Sequence, residues 1–234
     1  MYEERPPGPD LAGRVACVWH QVSETGTTHL VVPDACVDLI WGPEGLFVAG
    51  PDTGPMPTPM AAGDTFTGIR FKPGAVGDVF GVPVHELRDQ RIPLPALPGL
   101  PIDESCAPRP EWRLEAMRAA VARRLTRSDA ADPAAPAIAK ALMAGRTVTE
   151  VAWDLGFSDR QLHRRAVAAF GYAPKTLQRI VRFQRALRLA RAGVPLAEVA
   201  VTAGYTDQAH LSHDVKRLSG VPMGRLVSPV RKPA

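Results

Sequence analysis

The sequence predicts an α+β protein of two domains: a small β-rich barrel or sandwich, then an all-α domain of two helix-turn-helix units joined by a linker helix. Three observations carry this. Of the 24 prolines, 17 fall in residues 1–110, where they would interrupt any long helix. Residues 1–105 hold 6 Lys+Arg and 14 Asp+Glu, a net charge of −8, whereas residues 106–234 hold 22 and 10, a net charge of +12. Finally, the segment EVAWDLGFSD (150–159) returns 48 residues later as EVAVTAGYTD (198–207).

In the proline-rich half, short β-branched or aromatic runs bounded by turn residues predict strands at Arg14–Val22, Thr28–Val32, Val37–Trp41, Leu46–Ala49 and Thr65–Phe71. Gly74–Phe80 reads as a short helix and Leu94–Pro110 as a proline-rich connector. A helix is expected at Glu111–Arg127. The Ser/Asp/Ala/Pro stretch 128–136 follows as a linker, with Asp132 capping a helix that begins at Pro133 or Pro136. The chain therefore divides into a β-rich domain at 1–105, a connector at 106–136 and a helical domain at 137–228.

In the first copy of the repeat, Val148, Val151, Ala152 and Leu155 recur at i, i+3, i+4 and i+7, the stripe of a helix with one buried face. Thr147 and Glu150 have the form of a capping box; Gly156 suits a left-handed helix end, and Ser158 with Gln161 can cap a second helix at once. A helix, a short turn containing Gly and a second helix are the helix-turn-helix signature. The second copy repeats the stripe with Leu196, Val199, Ala200 and Ala203, the turn with Gly204, and a cap from Thr206 or Asp207.

The helix after each turn has two faces with different work. Leu162, Ala166 and Phe170 should face inward in the first unit and Leu211, Val215 and Leu218 in the second. Arg160, Gln161, His163, Arg164 and Val167, and then Gln208, His210, Ser212 and His213, are left near the outward N-terminal end that reaches base edges in a major groove. Between the units, Arg179, Arg182, Arg185 and Arg188 recur at three-residue steps along Lys175–Ala192, a helix whose arginines can meet phosphates. A single charge run is more often a solvated face. A tandem pair of units in a half of charge +12 points instead to a polyanion.

These residues carry a resemblance. Residues 137–228, through TVTEVAWDLGFSDRQLHRRAVAAFGYAP and PLAEVAVTAGYTDQAHLSHDVKRLSGVP, resemble the DNA-binding domain of the AraC/XylS family of bacterial transcription regulators. The resemblance implies base contacts from Arg160, His163 and Arg164 and from Gln208, His210, Ser212 and His213. The chain departs from the family pattern at Ala166, where an aromatic is common, and at His213–Asp214, where Asp214 near phosphates would repel. VACVW, HLVVPDACVDLIW, VAGPDTGP and GVPVHELRD are similar to an accessory domain of one actinobacterial-type branch. That similarity implies effector sensing, dimerisation or both. The expected protein is thus a transcription regulator, an activator rather than an enzyme, with double-stranded DNA as partner. RNA polymerase, a small-molecule effector and a second copy of the chain are the further partners to consider.

Rival readings of the N-terminal half rest on few residues. A cupin-like metalloenzyme could draw on His20, His29, Asp34, Asp38 and His85, but no H-x-H pair occurs. A thiol- or metal-responsive regulator could use Cys17 and Cys36; with Cys106 they make three cysteines without C-x-x-C spacing, so buried thiols are the default. Trp19, Trp41 and Phe71, with Phe47 and Phe66, could line an apolar effector pocket, although aromatics on strands are more often core. Asp34, Asp38 and Asp52 read as turn and cap residues. No cofactor is indicated. The N-terminus lacks a basic and apolar leader pattern, and no run of about 18 apolar residues occurs, so the expectation is a cytoplasmic protein without a membrane partner.

Overall fold

A computed structural model describes residues 1–107, 109–127 and 132–227. Residues 128–131 of the expected linker at 128–136 and the side chain of Cys106 lie outside the described residues.

The N-terminal half is built on eight strands: β1 (Tyr2–Arg5), β2 (Val15–Val22), β3 (Thr27–Val31), β4 (Val37–Gly42), β5 (Gly45–Ala49), β6 (Met56–Met60), β7 (Thr65–Phe71) and β8 (Arg91–Pro93). Six form one sheet in the order β1-β2-β7-β4-β5-β8, and β3 pairs with β6 in a second sheet. The five predicted strands occur within a residue or so of their expected bounds. The other three were illegible for local reasons. Tyr2–Arg5 is polar and wholly exposed, and Arg91–Pro93 is only three residues long. Met56–Met60 holds two prolines; in a two-stranded sheet every strand is an edge, where a missing N–H is tolerated.

Gly74–Phe80 is not a helix but a series of turns. Gly74 and Gly77 take φ of 74° and 58°, outside the helical region, and the Arg14 guanidinium donates to the carbonyls of Ala75 and Val76 at 2.6 Å each. A 3-10 turn follows at Val84–Glu86.

One face of the large sheet, with Val18, Leu39, Trp41, Ile69 and Phe71, packs into a buried cluster with Met117, Ala120 and Val121 of α1 (Pro110–Leu125). Leu94, Leu97 and Leu100 join the same cluster, so the stretch expected as a connector is part of the N-terminal core.

The C-terminal half is helical: α2 (Ala135–Met143), α3 (Val148–Asp154), α4 (Asp159–Phe170), α5 (Pro174–Arg191), α6 (Leu196–Ala203), α7 (Gln208–Ser219) and α8 (Met223–Val227). Its core is one cluster that runs from Ala135 to Met223 and takes in Ala35 of the N-terminal half, and Leu177, Ile180, Phe183, Ala186 and Leu187 of α5 belong to it. The two helix-turn-helix units therefore share a single core. No helix among the described residues is long and apolar enough to cross a membrane.

Candidate nucleic-acid interface

The local chemistry of each unit follows from its sequence. In the first, Thr147 and Glu150 close a capping box on α3, and Gly156 ends the helix region at φ 67°. Ser158 and Gln161 close a second box on α4, with the Ser158 N–H donating to Gln161 Oε1 at 2.8 Å. In the second unit Gly204 ends α6 at φ 87°, and Asp207, not Thr206, caps α7 by accepting from the His210 N–H at 2.7 Å. Each cap satisfies donors that a helix start leaves open and is worth about 1 kcal/mol.

The recognition helices bury the predicted faces: Leu162, Ala166 and Phe170 in α4, and Leu211, Val215 and Leu218 in α7. Arg160, His163 and Arg164 are exposed, with Val167 half-buried; Gln208, Ser212 and His213 on α7 are exposed too. Two expected contacts are otherwise engaged. The Gln161 side-chain oxygen is held by the cap. His210 is half-buried, its ring edge-on to Tyr205 at 5.1 Å and its Nδ1 3.3 Å from the Thr206 hydroxyl.

The linker arginines divide into two groups. Arg182 Nη2 donates to Asp214 Oδ2 at 2.9 Å, and Arg179 Nε lies 3.5 Å from Asp214 Oδ1. Asp214 is buried in the domain with both arginines on it, so it is an internal anchor for α7 and not a source of repulsion at a phosphate, as the sequence suggested. Arg179 and Arg182, expected at phosphates, are drawn to this carboxylate instead. Arg188 is exposed, and Arg185 is half-buried near Gly145 in the turn between α2 and α3.

A matching device in the first unit lies outside the sequence expectations. Arg165 lies 4.7 Å from the centroid of Phe157 and binds both carboxylate oxygens of Asp132 at 2.7 Å. In the second unit Arg182 lies 4.3 Å from the centroid of Tyr205, the residue equivalent to Phe157. Each turn aromatic is thus covered by an arginine fixed by a carboxylate. The aromatic at the same place in both copies was the available signal; the arginines come from different helices, so no repeat in the sequence marks them. Asp132 also caps the chain ahead of α2, accepting from the Ala134 N–H at 2.9 Å.

In the N-terminal half the expected aromatic triad does not assemble. Strand alternation puts Trp41 and Phe71 on the face packed under α1, where both are core residues. Trp19 lies on the opposite face, over Gly68, where a methyl group would fall 2.1 Å from its ring. There Trp19 Nε1 donates to Asp38 at 2.7 Å, and Arg70 Nε donates to both oxygens of Asp38 at 3.2 Å. Burial raises the Asp38 carboxyl to about 6 against the pull of Arg70. Asp38 is therefore half of a buried ion pair, not a turn residue. Asp52 is likewise buried and paired with Arg91 at 2.9 and 2.7 Å, whereas Asp34 does accept from the Cys36 N–H in a turn.

Cys17 and Cys36 are half-buried free thiols. Burial pushes Cys17 up to about 11 and raises Cys36 as well, which disfavours the reactive thiolate. His20 Nδ1 lies 3.1 Å from the Thr67 hydroxyl, and burial lowers His29. Among the described residues no three His, Cys, Asp or Glu side chains converge as a metal site would require.

Comparison with known proteins gives two family matches. Residues 158–227 match a helix-turn-helix domain, and residues 3–93 match a domain of unknown function (DUF6597). No curated protein matches the chain. Among solved structures, the C-terminal domain of AraT, a response regulator from Geobacillus stearothermophilus, is 22% identical with a TM-score of 0.39, over 41% of this chain and 84% of that one. Unsaturated fatty acid-bound ToxT from Vibrio cholerae is 8% identical with a TM-score of 0.49, over 97% of each chain. A second structure of ToxT from the same organism is also 8% identical, with a TM-score of 0.48 over 89% of this chain and 95% of that one.

Proposed function

We propose that the chain is a DNA-binding transcription regulator of the AraC type, with the helix-turn-helix match over residues 158–227 as its support, and that it reads an asymmetric DNA site as a monomer under control of its N-terminal half. The observation that carries the reading is the placement of two exposed polar sets on one core: Arg160, His163 and Arg164 on α4, and Gln208, Ser212 and His213 on α7. Adjacent major-groove segments on one face of B-DNA lie about 34 Å apart, so two such helices on one rigid body address about 15–20 base pairs without a palindrome.

Arg160 and Arg164 offer planar forks suited to guanine O6 and N7, whereas the α7 set is neutral or weakly basic, so the first unit carries more of the sequence preference. Arg185 and Arg188 are the linker residues left for phosphates, because Arg179 and Arg182 serve Asp214. Regulation rather than catalysis is the role of the N-terminal half. A groove of about 470 Å³ lined by Glu3, Arg5, Trp19, His20 and Thr67 is where a polar small-molecule effector would sit.

The experiment is a salt-dependent titration of the full chain on a duplex selected from a random pool and on its scrambled counterpart. A regulator of this kind binds the selected duplex far more tightly at every salt concentration. Equal affinity for the two duplexes contradicts the proposal.

A further inference from the structure

Three arginines stand within six residues on the first recognition helix: Arg160, Arg164 and Arg165. A guanidinium beside a polyanion pairs with any phosphate it can reach, and such a contact strengthens binding without reading sequence. Sequence preference therefore depends on which arginines are kept from the backbone as much as on which reach the bases. The three are not equally available. Arg160 and Arg164 are exposed, and among the described residues neither is held by a carboxylate. Arg165, one residue and about 100° further round the helix, is half-buried. Its Nη1 donates to both oxygens of Asp132 at 2.7 Å, and its guanidinium lies 4.7 Å from the ring centroid of Phe157.

Asp132 lies outside the first helix-turn-helix unit, 33 positions ahead of Arg165. Short-range bonds hold it in place: its carboxylate accepts from the Ala134 N–H and its carbonyl from the Ala135 N–H, both at 2.9 Å. It also stands beside the reading face, because Asp132, Arg164, Val167 and Ala168 line one groove of about 420 Å³. Its side chain is 19% exposed, so water screens the pair with Arg165 only in part. The second unit repeats the arrangement with other parts. There the buried Asp214 takes Arg182 at 2.9 Å and Arg179 at 3.5 Å. In each unit one carboxylate removes nearby arginines from the set that can meet phosphates. In the first unit the arginine removed sits on the recognition helix itself.

We propose that Asp132 is a specificity-determining residue: by holding Arg165 it keeps a third arginine of α4 off the phosphate backbone and leaves Arg160 and Arg164 to discriminate between sequences. The carboxylate touches no base and acts through Arg165. On a wrong sequence no base contact fixes α4, so the helix can shift until a released Arg165 meets a phosphate. On the right sequence the contacts of Arg160 and Arg164 fix the helix, and Arg165 stays on the flank beside Phe157. Release of Arg165 therefore strengthens binding to wrong sequences more than to the right one, and the ratio of the two affinities falls.

The proposal rests on the reading that α4 faces DNA, and its test keeps the two apart. Asp132→Asn in the full chain removes the charge but keeps a side-chain oxygen for the Ala134 N–H, and Asp132→Ser is a second uncharged capping replacement. Each variant is titrated across salt on the duplex selected by the wild-type chain and on its scrambled counterpart, with chemical unfolding as a check on folding. The scrambled duplex should be bound about threefold or more tightly than by the wild type at low salt, with a salt slope steeper by about one unit. The ratio of selected to scrambled affinity should fall by about threefold or more, and adding Arg165→Gln should return slope and ratio to the wild-type values. A purely structural role for Asp132 would weaken both duplexes with the slope unchanged, and that result overturns the proposal. A steeper slope that survives Arg165→Gln overturns it as well. If Arg160→Ala and Arg164→Ala leave binding of the selected duplex unchanged, the DNA reading of α4 is what fails. If they weaken it while the Asp132 variants keep the wild-type slope and ratio, that reading stands and the role of Asp132 is overturned.

Discussion

Arg182 and Asp214 form an ion pair at 2.9 Å between the linker helix and the second recognition helix, and the same guanidinium lies 4.3 Å from the ring centroid of Tyr205. One residue thus ties together the three parts of the second unit: linker, turn and recognition helix. Its loss leaves Asp214 buried with Arg179 alone, at 3.5 Å. Arg182→Ala should lower stability by about 1–3 kcal/mol, the range for a lost hydrogen bond to a charged group, as read by chemical unfolding. A purely phosphate-facing arginine would leave stability unchanged and lower the salt slope of DNA binding by about one unit. That second pattern is the expectation for Arg188→Ala, and the two variants measured together separate the roles.

Arg164→Ala should cost about 1–3 kcal/mol on the selected duplex and relax preference at one or two base positions. The readout is a titration on duplexes mutated one position at a time. Should every duplex weaken equally, Arg164 belongs with the phosphate contacts.

The two capping boxes offer a control on helix order. Thr147→Ala and Ser158→Ala should each cost about 1 kcal/mol of stability by similar loss of a cap. Only Ser158 starts the helix that presents Arg160, so Ser158→Ala should weaken DNA binding beyond its stability cost and Thr147→Ala should not. Equal binding by the two variants would separate the cap from the recognition surface.

The helical half was legible because its signals are local. Thr147, Glu150, Ser158, Gln161, Gly156 and Gly204 act within a few residues of themselves, and the buried stripe of each helix repeats in the chain. What escaped were long-range partners. Asp214 reads as a carboxylate facing phosphates when its partners Arg179 and Arg182, 35 and 32 positions away, are out of view. Asp38 and Asp52 read as turn residues because their guanidinium partners Arg70 and Arg91 lie on other strands. Strand Met56–Met60 was hidden by its prolines, and Gly74–Phe80 forms turns in place of the expected helix because Arg14, far away in sequence, takes the carbonyls of Ala75 and Val76.

The cysteines give a prediction of the opposite kind, a slow reaction. With Cys17 held near 11 rather than its ordinary 9.0, its thiolate fraction near neutrality falls roughly a hundredfold. Maleimide labelling of Cys17 in the folded chain should be correspondingly slow and should recover in denaturant. Rapid labelling of the folded chain would reopen a thiol-sensing role.

The central claim, two unequal reading heads on one body, is tested most directly by footprinting the full chain on a selected duplex, alongside Arg160→Ala/Arg164→Ala and Gln208→Ala/His213→Ala variants. The account predicts one chain per site and an asymmetric footprint of about 15–20 base pairs, with the first variant losing one half of it and most of the specificity and the second losing the other half at smaller cost. A palindromic footprint occupied by two chains, or loss of the same protected half in both variants, would contradict it.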